Sequence, residues 1–159
     1  MLRSIVKHNP RKPKKSALKN NQCILISDFS PQGQEWLKKL LVDMKDTCVA
    51  MRGVGLAANQ IGVFRQVILI MEPKKLPIIM INPKIIEAYG DELGEDEGCL
   101  SVPGERGIVK RKQYVVVEFQ ESDGTPRTAV CCDYEARIVQ HEVDHINNIV
   151  CCDRFEEKK

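Results

Sequence analysis

The chain has 159 residues, 43% of them hydrophobic and 29% charged, with a formal net charge of +2. That length and apolar content suit one domain with a sizeable core, residues 1–159, and the near balance of charge singles out neither nucleic acid nor lipid as a partner. No apolar run is long enough for a bilayer and no signal-peptide core opens the chain, so a reducing cytoplasm is the expected location.

Residues 1–22 read as a basic, irregular leader. Lys7, Arg11, Lys12, Lys14, Lys15 and Lys19 precede the first acid, Asp28. Such an arm suits either a nucleic-acid or ribosome contact or, as the simpler expectation, a solvated and mobile stretch. A short strand is expected at 24–27. Ser30-Pro31 then supplies a cap and a first-turn proline. The stripe Leu37, Leu40, Leu41, Met44, Cys48, Met51 predicts a helix over 32–51, stopped by Gly53.

The glycine- and alanine-rich run Gly53-Val54-Gly55-Leu56-Ala57-Ala58-Asn59-Gln60 is not amphipathic and reads as a loop or a close-packed strand. Strands are predicted at 67–71, 77–81 and 84–89. An acidic turn over 91–97 leads to Gly98-Cys99-Leu100-Ser101. Further strands follow at 108–111, 114–120 and 127–133, the last two around the hairpin turn Ser122-Asp123-Gly124. A second helix starts near Asp133 as N-cap and stops at Asn147-Asn148, where asparagine suits a left-handed cap. The class is α+β.

That second helix carries Gln140-His141-Glu142-Val143-Asp144-His145. Imidazoles four residues apart share one helical face and can hold one metal ion, with Glu142 placed to handle a proton from water. His8, the remaining histidine, sits in the basic arm. A third ligand is therefore expected from the seven cysteines. Their spacing forms neither a disulfide framework nor a zinc ribbon, and most read as small buried hydrophobes. Cys99 is the best placed, in a glycine-flanked loop that lets the backbone approach an ion, and it would bind as thiolate. Asp144 is a candidate hydrogen-bond acceptor for the second imidazole, with an ordinary salt bridge as the alternative, and Glu97 a candidate partner of Arg111.

Three blocks, in order, resemble the peptide deformylases. The Gly53–Gln60 run is similar to that family's first motif, Glu97-Gly98-Cys99-Leu100-Ser101 to its second, and Gln140–His145 to its third. The likeness extends over roughly 24–154. It implies antiparallel sheets around a central metal-binding helix; with the N-terminal helix read above, the expected fold differs from many members in having no long C-terminal helix. It implies hydrolysis of the N-formyl group from the initiator methionine of nascent polypeptides, with release of formate. Cys99, His141 and His145 would hold one divalent ion, Fe(2+) with Zn(2+) or Ni(2+) as substitutes. Glu142 would move the proton, and Gln60 with the Leu100 N–H would meet the developing oxyanion. The Gly55 backbone would hold an extended substrate. Arg106 is either a guide along the peptide path or a solvated charge. Val54 and Ile138 are either methionine-pocket walls or plain core. Ribosome contact would be weak, and a monomer is expected. The resemblance leaves a bacterial, organelle-matrix or phage setting open. Where family members have Leu-x-Gly after the second histidine, this chain has Ile146-Asn147-Asn148.

Two rivals stand beside this expectation. One is a zinc endopeptidase on the same helix. The other is a closed structural site in which Cys131-Cys132 or Cys151-Cys152 adds a fourth ligand.

Overall fold

The Ser30 hydroxyl accepts the Gly33 N–H at 3.3 Å and Pro31 occupies the first turn; the proline's missing N–H is one the helix start would leave unpaired anyway. This begins the longest helix of the structure, a computed structural model that describes residues 1–11 and 16–156. A single-turn helix, α1 (Ala17–Asn20), precedes it, so the long one is α2 (Pro31–Ala50). Five strands follow as one antiparallel meander: β1 (Gly55–Ala57), β2 (Val67–Ile70), β3 (Ile78–Cys99), β4 (Val102–Gln120) and β5 (Pro126–Cys132), paired in that order. Helix α3 (Asp133–Ile146) comes next, and a 3-10 turn (Cys151–Asp153) follows it.

The sheet lies between the two long helices, and β2 shows why. Val67, Ile68, Leu69 and Ile70 are all buried, because alternate side chains face opposite helices. Ile68 and Ile70 join Ile138, Val139, Val143 and Ile146 of α3. Val67 and Leu69 join Leu37, Leu40, Met44 and Cys48 of α2. A strand covered on both faces needs an unbroken apolar run rather than alternation. Burial pushes the thiols of Cys48 and Cys131 up to about 12 and that of Cys23 up to about 11. These three behave as small neutral hydrophobes.

Three expectations need correction. The segments 77–81, 84–89 and the acidic turn over 91–97 are one continuous strand, β3, and 108–111 and 114–120 are likewise parts of β4. The acids do not turn the chain because a basic run faces them: Glu92 pairs with Lys112, Leu93 with Arg111 and Gly94 with Lys110. Opposite charges across an antiparallel ladder stabilise it. Register shifts between Ile81 and Lys84, Ile85 and Glu87, and Tyr89 and Glu92 break the alternation that sequence patterning relies on. Residues 24–27 form only one parallel bridge, Ile24 with Arg65. Helix α3 starts at Asp133 with Cys132 as its cap residue, one position earlier than expected. Its end is as the asparagines suggest, with Asn148 at φ 63°.

The leader is not the solvated arm expected of it. Irregular backbone runs from Met1 to Asn9, but it is tied down. The Val6 N–H donates to the Gln60 carbonyl and the His8 N–H to the Ser101 carbonyl, both at 2.7 Å. The Lys7 ammonium donates to the Leu100 carbonyl at 2.9 Å. Arg3 pairs with Asp43 and Lys19 with Asp153, and His8 and Leu18 are buried. Lys12, Lys14 and Lys15 lie outside the described residues. Among the described residues no helix is long and apolar enough to cross a membrane.

Candidate metal centre

Helix α3 is amphipathic with a charged inner edge. Arg137, His141 and His145 recur every four residues and so line one face. The same face carries Ile138 and Glu142. The end of β3 brings Cys99 to it. The Cys99 Sγ lies 3.2 Å from the His145 Nε2. The rings of His141 and His145 meet edge to face, with centroids 4.9 Å apart. One ligand atom each from Cys99, His141 and His145 fall within 4.8 Å of one another. This is the compactness that a tetrahedral ion with three protein ligands and one open position requires. Cys151 is not part of that group.

A thiolate is the form such an ion binds. Hydrogen bonding from Cys151, then the charge and hydrogen bonds of the two imidazoles, hold the Cys99 thiol far below its ordinary range despite burial. The His141 Nδ1 faces the Glu97 carboxylate at 2.9 Å, which leaves its Nε2 for an ion. Burial alone would raise Glu97, but hydrogen bonds from His141 and Arg111 bring it down to about 2. Glu97 also takes Arg111 through both oxygens, at 2.7 and 2.9 Å, and Arg137 at 2.6 Å. The pairing of Glu97 with Arg111 is as expected. Asp144 takes its alternative role, an ion pair: it binds Arg111 at 2.8 Å and Arg154 at 2.6 Å, and the buried His145 Nδ1 has no partner among the described residues. Residues adjacent in a helix do not share a face, so Asp144, one position before His145, meets the arginines behind it instead.

Glu142 is 4% exposed, and its buried Oε2 has no hydrogen bond among the described residues. Burial pushes its carboxyl up, while the two imidazoles pull the other way. Gln60 is buried with its amide fully directed. Its Oε1 accepts the Ala57 N–H at 2.9 Å, and its Nε2 donates to the Ser101 hydroxyl at 3.2 Å and to the Cys99 sulfur at 3.5 Å. The amide therefore reaches the Cys99 sulfur, and Gln60 lines the cavity that opens over the group.

A cavity of about 470 Å³ opens over this group and is lined by every residue expected there except one: Val54, Gly55, Gln60, Cys99, Leu100, Arg106, Ile138, His141 and Glu142. His145 lies behind the wall, 1% exposed. Arg106 is exposed on the rim and paired with Asp96 at 2.6 Å. Gly55 sits against the acid: a Cβ built there would meet the Glu142 Oε1 at 2.5 Å and Ile138 Cγ2 at 2.7 Å. Gly55→Ala should displace Glu142 and lower kcat about 10²-fold. An alanine variant that turns over like the parent, by initial rates, would show the acid is not so tightly placed.

Sequence reasoning missed Arg137 and Ser101. Arg137 was legible, being four residues before His141. Ser101 stood in a quoted motif without a role.

Comparison with known proteins settles the family. The sequence profile described as polypeptide deformylase matches residues 11–159. The chain belongs to the peptide deformylase family. It is 42% identical to the peptide deformylase of Desulforudis audaxviator over 129 residues, 81% of each chain. With that of Dictyoglomus thermophilum it shares 43% over 124 residues, covering 78% of this chain and 80% of the relative. Among solved structures, a class I type b peptide deformylase from Acinetobacter baumannii superposes with a TM-score of 0.87 at 32% identity, covering 98% of this chain and 99% of that one. The Thermotoga maritima enzyme gives 0.85 at 28% identity, covering 99% of each. The expected fold, antiparallel sheet around a histidine-bearing helix with an N-terminal helix, is that of these deformylases. The family uses a divalent metal to remove the N-formyl group from nascent peptides, and a Cys/His/His group suited to one is present in this chain.

Proposed function

We propose that Cys99, His141 and His145 hold one divalent ion, Fe(2+) as the working metal with Zn(2+) or Ni(2+) able to replace it, and that the residues around them deformylate N-formylmethionyl peptides. The observation that carries this reading is a three-ligand group at the base of an open cavity, with an unpaired buried carboxylate oxygen beside it. A bound ion would polarise the formyl oxygen and bring the pKa of a water down to about 7. Glu142 takes the proton of the attacking water and returns one to the departing methionine nitrogen. The Gln60 amide and the Leu100 N–H stabilise negative charge on the formyl oxygen, a contribution of about 3–4 kcal/mol for one such donor. Cys99, already meeting the Gln60 amide, keeps that donor in place.

The substrate lies along β1, with the Gly55 backbone holding it extended. Val54 and Ile138 flank the methionine side chain, and Arg106 on the rim guides the peptide beyond it. Acinetobacter baumannii deformylase has been solved with Met-Ala-Ser and with actinonin, which supports a peptide in this cleft. Arg3, Lys7 and Lys19 of the basic segment are engaged by the protein itself, so any ribosome contact is weak. The enzyme acts as a monomer in the cytoplasm, or in an organelle matrix. Formate release from formyl-Met-Ala-Ser, set beside cleavage of casein, tests the reading. Formate without casein cleavage is expected, and the reverse would assign an endopeptidase.

A further inference from the structure

We propose, on the reading of His145 as a metal ligand, that Asn59 is the residue that positions it, acting through the His145 main chain. The two imidazoles are held differently. His141 is fixed at its ring, where the Nδ1 faces the Glu97 carboxylate at 2.9 Å. His145 lacks such an anchor: its Nδ1 is buried and has no hydrogen-bond partner among the described residues. Beyond the Cys99 sulfur at its Nε2, its ring stands where its backbone puts it. That backbone lies in the last turn of α3, where carbonyls have no partner further along the helix. The Asn59 Nδ2 donates to the His145 carbonyl at 2.6 Å, across 86 residues of sequence. The Asn148 N–H also reaches this carbonyl, at 3.1 Å, but Asn148 moves with the end of its own helix. Asn59 ties that end to a separate part of the protein.

The 3-10 turn Ala58–Ile61, directly after β1, sets Asn59 in place. Asn59 and Gln60 are consecutive in it and serve different ligands. The Gln60 Nε2 reaches the Cys99 sulfur at 3.5 Å, and Asn59 reaches His145. One short turn thus braces a ligand from the end of β3 and a ligand from α3. The turn is itself anchored. Ala58 and Ile61 pack in the core with α2, and the Gln60 carbonyl accepts the Val6 N–H at 2.7 Å. Asn59 is wholly buried, and its Oδ1 has no partner among the described residues. Burying an amide with half its bonding capacity unused costs stability. An apolar side chain of the same size would fill the space without that cost. Packing alone therefore does not account for an asparagine here, whereas the bond to His145 does.

The test compares the zinc-loaded parent with Asn59→Leu, Asn59→Ser and Leu37→Ala. Leucine is close to asparagine in size and has no donor; serine is small enough to be accommodated where leucine is not. Leu37 lies in the α2 core, outside the site, and its truncation supplies a loss of stability alone. Both Asn59 variants should hold zinc about 10–100-fold more weakly than the parent, read by competition with a chromogenic chelator. Their cobalt-loaded forms should show shifted ligand-field bands in the visible spectrum. Leu37→Ala should lower the urea midpoint at least as far, yet keep the parent's zinc affinity and cobalt spectrum. Parental affinity and spectrum in either folded Asn59 variant would overturn the proposal and reduce the bond to a helix cap. An equal loss of affinity in Leu37→Ala would overturn it too, because zinc would then follow overall stability. A parent that binds no zinc would remove His145 from the ligand set and the proposal with it. Zinc bound without formate release from formyl-Met-Ala-Ser would sink the deformylase reading alone.

Discussion

Glu142→Gln should lower formate release by about 10²–10⁴-fold while leaving fold and metal content in place. Glutamine has nearly the same volume, so the packing of Gly55 and Ile138 around the side chain is retained. What it loses is the ability to accept a proton. The carboxylate is suited to that task by its setting. It is 4% exposed, and among the described residues its Oε2 has no hydrogen-bond partner to hold it in the charged form. Burial therefore raises its proton affinity above that of an ordinary carboxylate, the direction that helps a carboxylate shuttle protons. Metal analysis of the purified variant separates the two ways activity can fall. Lost turnover with one ion still bound places Glu142 in proton transfer. Lost turnover with a lost ion would make its role that of supporting the site. Undiminished turnover in a metal-replete variant would remove it from the mechanism.

Much of the site was legible because its parts repeat at spacings that secondary structure imposes. His141 and His145 needed only the helical period, and the end of α3 followed from Asn147-Asn148. Cys99 emerged by excluding the other histidine and by its glycine-flanked setting. Helix α2 was readable at both ends, since cap, proline and apolar stripe agree. The long ribbon of β3 and β4 was not. Its acids and bases look like loop composition when each strand is read alone, and become a ladder only when Glu92 faces Lys112. The leader failed for a related reason. Its lysines suggest solvent, but Val6 and His8 are held through backbone bonds to Gln60 and Ser101, and backbone bonding leaves no mark on composition. Asp144 and Glu97 were both noticed, yet which acid serves an imidazole depends on where Arg111 and Arg137 enter, a tertiary fact.

Removing Glu97 should cost more stability than any other single change at the site, because this carboxylate joins His141 to the buried charges behind it. It meets Arg111, Arg137 and the His141 Nδ1 at 2.6–2.9 Å. The two guanidiniums have side-chain exposures of 3% and 9%. In Glu97→Ala, Arg111 keeps Asp144 and Arg137 keeps Glu95, but Arg111 loses its bidentate partner and Arg137 its buried carboxylate partner. Breaking a buried pair from one side typically costs about 3–5 kcal/mol, readable as a fall in the urea midpoint. His141 loses the acceptor that fixes its ring, which should weaken metal binding about 10–100-fold. The two effects can be separated. Adding Arg137→Met removes one of the stranded cations, so Glu97→Ala/Arg137→Met should regain part of the stability. It should regain none of the metal affinity, because the His141 Nδ1 still faces no carboxylate. Recovery of both together would mean that Glu97 acts on the metal only by keeping the protein folded, and an unchanged affinity in the single variant would mean that it does not orient His141 at all.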